Sequence, residues 1–260
     1  MGIMDLNMSN SDIFNRYKSN SQVARVLSED WFSSNMYCPC CDQDELSAYP
    51  NNKKALDFFC GECGNDFQAK CSRTHSARKI NDGEYNTMLN HITNNKLPNF
   101  FIMNYSPDEW VVRDLFMIPK FFVSPSIIER RNPLSDTARR AGWTGCNILL
   151  DMIPSDGKIN VVRNEKIIEP DEVRKIWEKM AFLDNRRPEL RGWTADVLKC
   201  IEDLGKQQFE LREIYGCENQ LADLHPDNKH VRDKIRQQLQ VLRDNEILKF
   251  ESPGKYRLLC

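Results

Sequence analysis

The sequence predicts an α/β (α+β) domain carrying a four-cysteine zinc-ribbon insertion, followed by a mostly α winged helix-turn-helix domain. Three observations predict it. Strand-like apolar runs alternate with helical periodicity over the first ~180 residues, as expected for helices packed on a mixed sheet. Between positions 38 and 63 cysteines cluster in two C-x-x-C pairs. After a polar, proline-containing stretch at 184–193, three amphipathic segments run directly into a hairpin pattern. A chain of 260 residues has room for two domains with buried cores, and the expected division is 1–185 and 186–260.

Taken in order, residues 11–31 place Ile13, Tyr17, Val23, Val26, Leu27 and Trp31 at helical spacing. A helix is expected after Asp82, in DGEYNTMLNHI. The runs Phe100-Phe101-Ile102-Met103 and Leu115-Phe116-Met117-Ile118 read as strands, each ended by proline or a turn, and Lys158-Ile159-Asn160-Val161-Val162 as another. DNRRPELRGW is the expected linker. Beyond it TADVLKCIEDL, ELREIYGCENQL and NKHVRDKIRQQLQVLRD are expected as helices, followed by EILKF, the turn ESPG and KYRLL.

Hydrophobic residues make up 40% and charged residues 28% of the chain, and no apolar run approaches the ~18 residues of a membrane span. The opening MGIMDLNMSNSDIF is polar and acidic, unlike a signal peptide, and Leu6 stands where a myristoylation motif needs Ser or Thr. A cytoplasmic protein without a membrane partner is expected. Ten cysteines in such a chain favour metal binding over a disulfide scaffold, with Cys71, Cys146, Cys200, Cys217 and Cys260 as buried or incidental thiols. Net charge is −2, but it is uneven: 10 acidic against 6 basic residues over 184–227, then 8 basic against 4 acidic over 228–260. A local basic surface suits nucleic acid whatever the total.

Cys38 and Cys41 are followed after 18 residues by Cys60 and Cys63. Two intervening residues let a tight turn aim two sulfurs at one ion, and two such turns complete a tetrahedral four-thiolate site. Cys40 competes as a ligand, but C-x-C would shorten the turn, so Cys41 is preferred. With four cysteine ligands the zinc would have no open position and would be structural. Four unconnected thiols are the plainer alternative.

Asp57, Gln68 and Lys70 lie around the second pair. Residues two apart on a strand share a face, so Gln68 and Lys70 project together, and a hairpin would let Asp57 join them with the knuckle in the connection. Asp, an acid and Lys so placed make the D…(D/E)-x-K pattern of metal-dependent nucleases: oxygens hold magnesium, and Lys orients or deprotonates water. Gln68 departs from it, since an amide oxygen ligates without charge. Glu29 or Asp30 on the preceding helix would compensate; failing that, a binding protein without cleavage remains. A bland sheet with solvated polar residues also fits this short pattern.

In the last segment Val231, Ile235, Leu239 and Leu242 form one stripe, flanked by Arg232, Arg236, Gln240 and Arg243. The third helix is expected to start near Asp227 or Asn228, with Lys229, His230 and Gln237 as donors toward base edges. Lys255, Tyr256 and Arg257 beyond the hairpin tip suit phosphates. An amphipathic helix with a solvated basic face is the plainer reading.

The stretches YKSNSQVARVLSEDW, YCPCC, CGEC, INDGEYNTM, PNFF, TARRAGWTGCNI, RGWT and HVRDKIRQQLQVLRDNEI…GKYR resemble the DpnI-like family of methyl-directed (type IIM) restriction endonucleases over nearly the full length. The resemblance implies a PD-(D/E)xK nuclease domain with a zinc insertion, joined to a winged helix. It implies magnesium-dependent cleavage of duplex DNA at GATC sites carrying N6-methyladenine, with both domains reading the mark. The protein is expected to act as a monomer. By position it places Asp57, Gln68 and Lys70 in the catalytic roles, the four cysteines on zinc, and Trp143 as a methyl-sensing aromatic. The family has Glu where Gln68 stands; Leu56 replaces a proline that does no chemistry. The N6-methyl projects into the major groove, and burying it against an aromatic wall gains about 1 kcal/mol. A methyl-DNA-binding regulator, or a zinc-ribbon protein acting on RNA or protein, are the rival expectations.

Overall fold

The periodicity at 11–31 forms two helices, α1 (Ser11–Arg16) and α2 (Asn20–Asn35), in the computed structural model, which describes residues 4–50, 55–74 and 78–259. The break is local: Tyr17 and Ser19 adopt extended backbone, and Asn10 caps the first helix by accepting from the Asp12 amide. Three strands follow, β1 (Ser47–Ala48), β2 (Phe58–Phe59) and β3 (Asp66–Ser72). Next come β4 (Lys79–Glu84) and α3 (Tyr85–Thr93), then β5 (Asn99–Ser106), β6 (Val111–Ile118), β7 (Ile128–Arg130) and β8 (Gly145–Leu149). The strands β9 (Ile159–Arg163) and β10 (Lys166–Ile167) lead into α4 (Pro170–Met180) and α5 (Pro188–Asp203). The chain ends with β11 (Gln208–Glu210), α6 (Leu211–Ile214), α7 (Glu218–Leu224), α8 (Val231–Asp244), β12 (Leu248–Ser252) and β13 (Lys255–Leu258).

The elements form two compact units. One comprises Met1–Ala77, Pro98–Lys120 and Lys158–Glu178. Its seven-stranded mixed sheet has the order β1-β2-β3-β5-β6-β9-β10, with β3 and β5 parallel and the other neighbours antiparallel. The expected apolar runs become the central strands because β5 is covered on both faces and so reads as continuous apolar sequence. Phe32 of α2 lies 5.4 Å from Phe58 and 5.4 Å from Phe101, and Phe67 stacks on Phe101 at 5.1 Å. These rings fasten α2 to β2, β3 and β5.

The other unit comprises Arg78–Leu97, Phe121–Gly157 and Lys179–Cys260. It holds the antiparallel sheet β4-β8-β7, helix α3, and a winged helix-turn-helix in which α5 to α8 accompany the sheet β11-β13-β12. Val231, Ile235, Leu239 and Leu242 are buried, as their stripe predicts, and Gln238 on the same face is buried with its Oε1 accepting from Thr194 Oγ1 at 2.8 Å.

Three local expectations are corrected, and one strand was not foreseen. Most of the supposed linker is helix, because Pro188 occupies the first turn of α5, where its missing N–H costs nothing. Arg191, Gly192 and Trp193 are buried there. ELREIYGCENQL is not one helix: a 3-10 turn at Tyr215–Cys217, containing Gly216, separates α6 from α7. The third helix starts at Val231, so Lys229 and His230 precede it, with the His230 amide held by Asn228 Oδ1. Strand β11, three residues long, was too short to show a period.

Candidate functional site

The sequence CGEC occupies the connection between β2 and β3, which pair as the expected hairpin with Phe58 opposite Phe67. Asp57 enters β2 with its amide donating to Phe67 O, and its carboxylate Oδ2 accepts from the Ala69 amide at 2.8 Å. That bond fixes the Asp57 carboxylate against the Gln68-Ala69-Lys70 segment. Gln68 and Lys70 share a side of β3.

The knuckles are shaped by their own backbone. Cys38 N donates to Gln43 O, Cys60 N to Asn65 O, and the amides of Cys40 and Cys63 point at Cys38 Sγ and Cys60 Sγ. The sulfurs of Cys38, Cys41, Cys60 and Cys63 all lie within 4.8 Å of one another, with Cys38–Cys63 at 3.6 Å and Cys41–Cys60 at 3.5 Å. A tetrahedron with Zn–S bonds of about 2.3 Å has edges of about 3.8 Å, so the donors fit zinc in number, type and spacing. Cys40 lies outside this group. Burial pushes the Cys60 thiol up, whereas at Cys63 burial is outweighed by hydrogen bonds from Asn65, which bring it down.

Two supports of the knuckle were not visible in the sequence. Asn65 Nδ2 donates to Cys63 Sγ at 3.3 Å, and its Oδ1 accepts from buried Asn99. Arg174 of α4, 9% exposed, donates to Cys38 O and Gln43 O, both at 3.3 Å, and lies over the Tyr37 ring. No local spacing announces a contact 136 residues distant.

Beside the hairpin is a cleft of about 960 Å³. Asp57 and Gln68 line it from the sheet, Arg73 from the end of β3, and Arg25, Ser28 and Glu29 from α2. Lys70 is half-buried on β3 but does not line the cleft. Of the two helix acids weighed above, Glu29 reaches it. Asp30 instead accepts from Asn10 Nδ2 at 3.1 Å. Cys71 also lines the cleft and keeps exposed surface. Crowding by protein around its thiol, followed by the charges of Asp57 and Glu29, raises it to about 11, against a hydrogen bond to Ser28. Asp57 and Gln68 from the sheet and Glu29 from α2 thus give the cleft two carboxylates and an amide, oxygen donors of the kind a hard divalent cation accepts, with one charge fewer than three carboxylates would give. Arg25 and Arg73 are positive groups that spacing alone had not singled out.

In the other unit Trp143 sits in the connection between β7 and β8, half-exposed. Leu134 N donates to Trp143 O and Gly142 N returns to Leu134 O, closing the loop's neck. The Arg140 guanidinium lies 4.7 Å from the ring centroid. The ring's far edge covers Gly145 so closely that a Cβ there would come within 2.9 Å of Cη2.

On α8, Arg232, Arg236, Gln237, Gln240 and Arg243 are exposed, as their flank position requires. Arg232 Nε bonds Glu218 Oε2 at 2.7 Å, and Arg236 Nη1 bonds Tyr215 Oη at 3.0 Å. Lys255 is exposed at the wing, but the Tyr256 ring packs in the sheet, stacked 5.6 Å from Phe209. Among the other cysteines, Cys146 and Cys200 are buried, and Cys260 lies outside the described residues. No described helix is long and apolar enough to cross a membrane.

A mixed α/β unit with a four-cysteine cluster fit for a metal ion, together with a winged helix-turn-helix, is the architecture of a modular DNA-binding protein. Residues 4–186 match the DpnI family model, described as the Dam-replacing family, and residues 189–258 match the Dam-replacing HTH domain. The chain belongs to the DpnI family, and so in general to the methylation-dependent restriction endonucleases.

Proposed function

We propose that the protein is a metal-dependent endonuclease that cuts duplex DNA at GATC-like sites bearing N6-methyladenine, with residues 1–185 as nuclease and 186–260 as winged-helix reader. The observation that carries the reading is the β2–β3 hairpin, which joins Asp57 to Gln68 and Ala69 at the wall of a cleft of about 960 Å³, with Lys70 next along the same strand. Asp57 and Gln68 would hold magnesium, whose chemistry is to activate water and neutralise charge on the phosphate. The Ala69 amide keeps the Asp57 carboxylate aimed. Lys70, on Gln68's side of the strand, orients the attacking water or takes its proton. Arg25 and Arg73 offer positive charge for the phosphates flanking the cut.

Trp143 supplies an apolar wall for the methyl group, and the flank of α8 reads the duplex. Arg232, Arg236 and Gln237 project from that helix, while Lys229, His230 and Lys255 meet the backbone at its entry and at the wing. Tyr256 then acts by holding the wing strand in place.

One observation favours a second reading, a reader of methylated DNA that does not cut: the amide of Gln68 brings no charge to the metal. Digestion of adenine-methylated and unmethylated plasmid with magnesium separates the two. The nuclease reading expects fragments from methylated plasmid alone, and none from a Lys70→Ala protein. Absence of cutting, together with a gel shift of methylated duplex and cleavage gained by Gln68→Glu, would establish the second.

A further inference from the structure

The face that α2 turns to the cleft is set by helical spacing. Asn20, Ala24, Ser28 and Phe32 recur every fourth residue, and Ser21, Arg25 and Glu29 form the neighbouring row. All of them line the cleft, whereas Val26 and Asp30 do not. The helix cannot rotate away from this register, because Leu27, Trp31 and Phe32 are buried and Phe32 packs on Phe58 and Phe101. Among the residues lining the cleft, the acids are Asp57 and Glu29.

We propose that Glu29 is the third oxygen ligand of the catalytic divalent cation and supplies the negative charge that Gln68 lacks. The inference rests on the nuclease reading above and deepens it by naming the metal site of this chain. Asp57 is fixed by the Ala69 amide, Gln68 offers a neutral oxygen, and a site with these two alone carries a single negative charge. Affinity for hard cations depends on the count of charged ligands, so a second carboxylate is needed if Mg²⁺ is to bind at all tightly. Glu29 is available for it. Among the described residues its Oε1 has a loose ion pair with Arg25 Nε at 3.7 Å, and the two side chains are 47% and 67% exposed. A pair so exposed is weak and yields to a divalent ion. Arg25, one turn earlier, then loses its partner and faces the cleft, where an incoming phosphate is the replacement anion.

The test is metal binding rather than cleavage. Mn²⁺, used as the probe, is titrated into the zinc-loaded full-length protein, with free ion counted by electron paramagnetic resonance. Four variants are compared with the parent: Glu29→Gln, Asp30→Asn, Asp57→Asn and the double variant Glu29→Gln/Gln68→Glu. Zinc content and circular dichroism check that each is folded. The expected result is a weakening of roughly tenfold or more for Glu29→Gln, parent-like binding for Asp30→Asn, and recovery in the double variant, where the charge returns on the strand. Parent-like binding by Glu29→Gln, alongside loss in Asp57→Asn, would overturn this inference and leave the nuclease reading standing. No saturable Mn²⁺ binding by the parent would overturn both.

Discussion

Gly145 is the position where a single hydrogen atom determines whether an aromatic wall can exist. An added Cβ would lie 2.9 Å from Trp143 Cη2 and 3.0 Å from Cζ3, inside contact distance, and the ring sits at the end of a loop closed by the Leu134 pair of hydrogen bonds. Gly145→Ala is therefore expected to displace the Trp143 ring while leaving β8 in place. Overpacking of this kind costs about 1–3 kcal/mol. If Trp143 senses the methyl group as proposed, binding to methylated duplex is expected to weaken while binding to unmethylated duplex is unchanged, so the preference for the methylated duplex falls. Equal Kd changes on both duplexes would show that Trp143 does not sense the methyl group. At this scale the local parts of the candidate site were legible. The four cysteines and the Asp57…Gln68-x-Lys70 pattern are local in sequence, and strand alternation alone puts Gln68 and Lys70 on one side. Arg174 was illegible because its carbonyl partners, Cys38 and Gln43, are brought to it only by the folded sheet.

Elements were legible where periodicity was long, and lost where capping decided. The central strands β5 and β6 and the stripe of α8 follow directly from apolar pattern. Pro188, by contrast, reads as a loop residue until it is seen at the first turn of α5. The start of α3 shows the same physics with a titratable cap. Glu84 accepts from the amides of Asn86 at 2.9 Å and Thr87 at 2.7 Å, and these bonds hold its carboxyl below the ordinary carboxylate range. A carboxylate with a depressed folded-state pKa stabilises above its unfolded value of about 4.3 and loses that contribution as pH falls through the depressed value. Glu84→Gln is expected to lower Tm at pH 7 and to converge with the parent as the solution is acidified below about pH 4. Thermal melts at a series of pH values check this; a constant gap down to pH 3 would show that the cap's charge is irrelevant.

At the scale of the whole molecule, each unit has its own core, and among the described residues the four-cysteine knuckle belongs to the first. The aromatic cluster of Phe32, Phe58, Phe67 and Phe101 belongs to the first unit, and the α8 stripe with Trp193 and Leu198 to the second. The four-cysteine cluster joins two places far apart in the chain of the first unit. Cys60 and Cys63 close the β2–β3 hairpin on which Asp57 and Gln68 depend, and the Cys38 turn is gripped by Arg174 of α4. Loss of an ion held by these four thiols is therefore expected to loosen the hairpin, the helix contact and the cleft wall together. The second unit shares none of these ligands. Calorimetry is expected to resolve two transitions, so that a single Tm does not describe the chain. Since structural zinc contributes of order 10 kcal/mol in small sites, a zinc chelator is expected to lower the first unit's transition by at least ~10 °C and leave the second where it was. A gel shift in the chelator at low salt should still retard duplex through α8, while cleavage stays lost until zinc and magnesium are both returned. If both transitions fall together, folding of the second unit depends on the knuckle; if neither moves, the four thiols do not hold a structural ion.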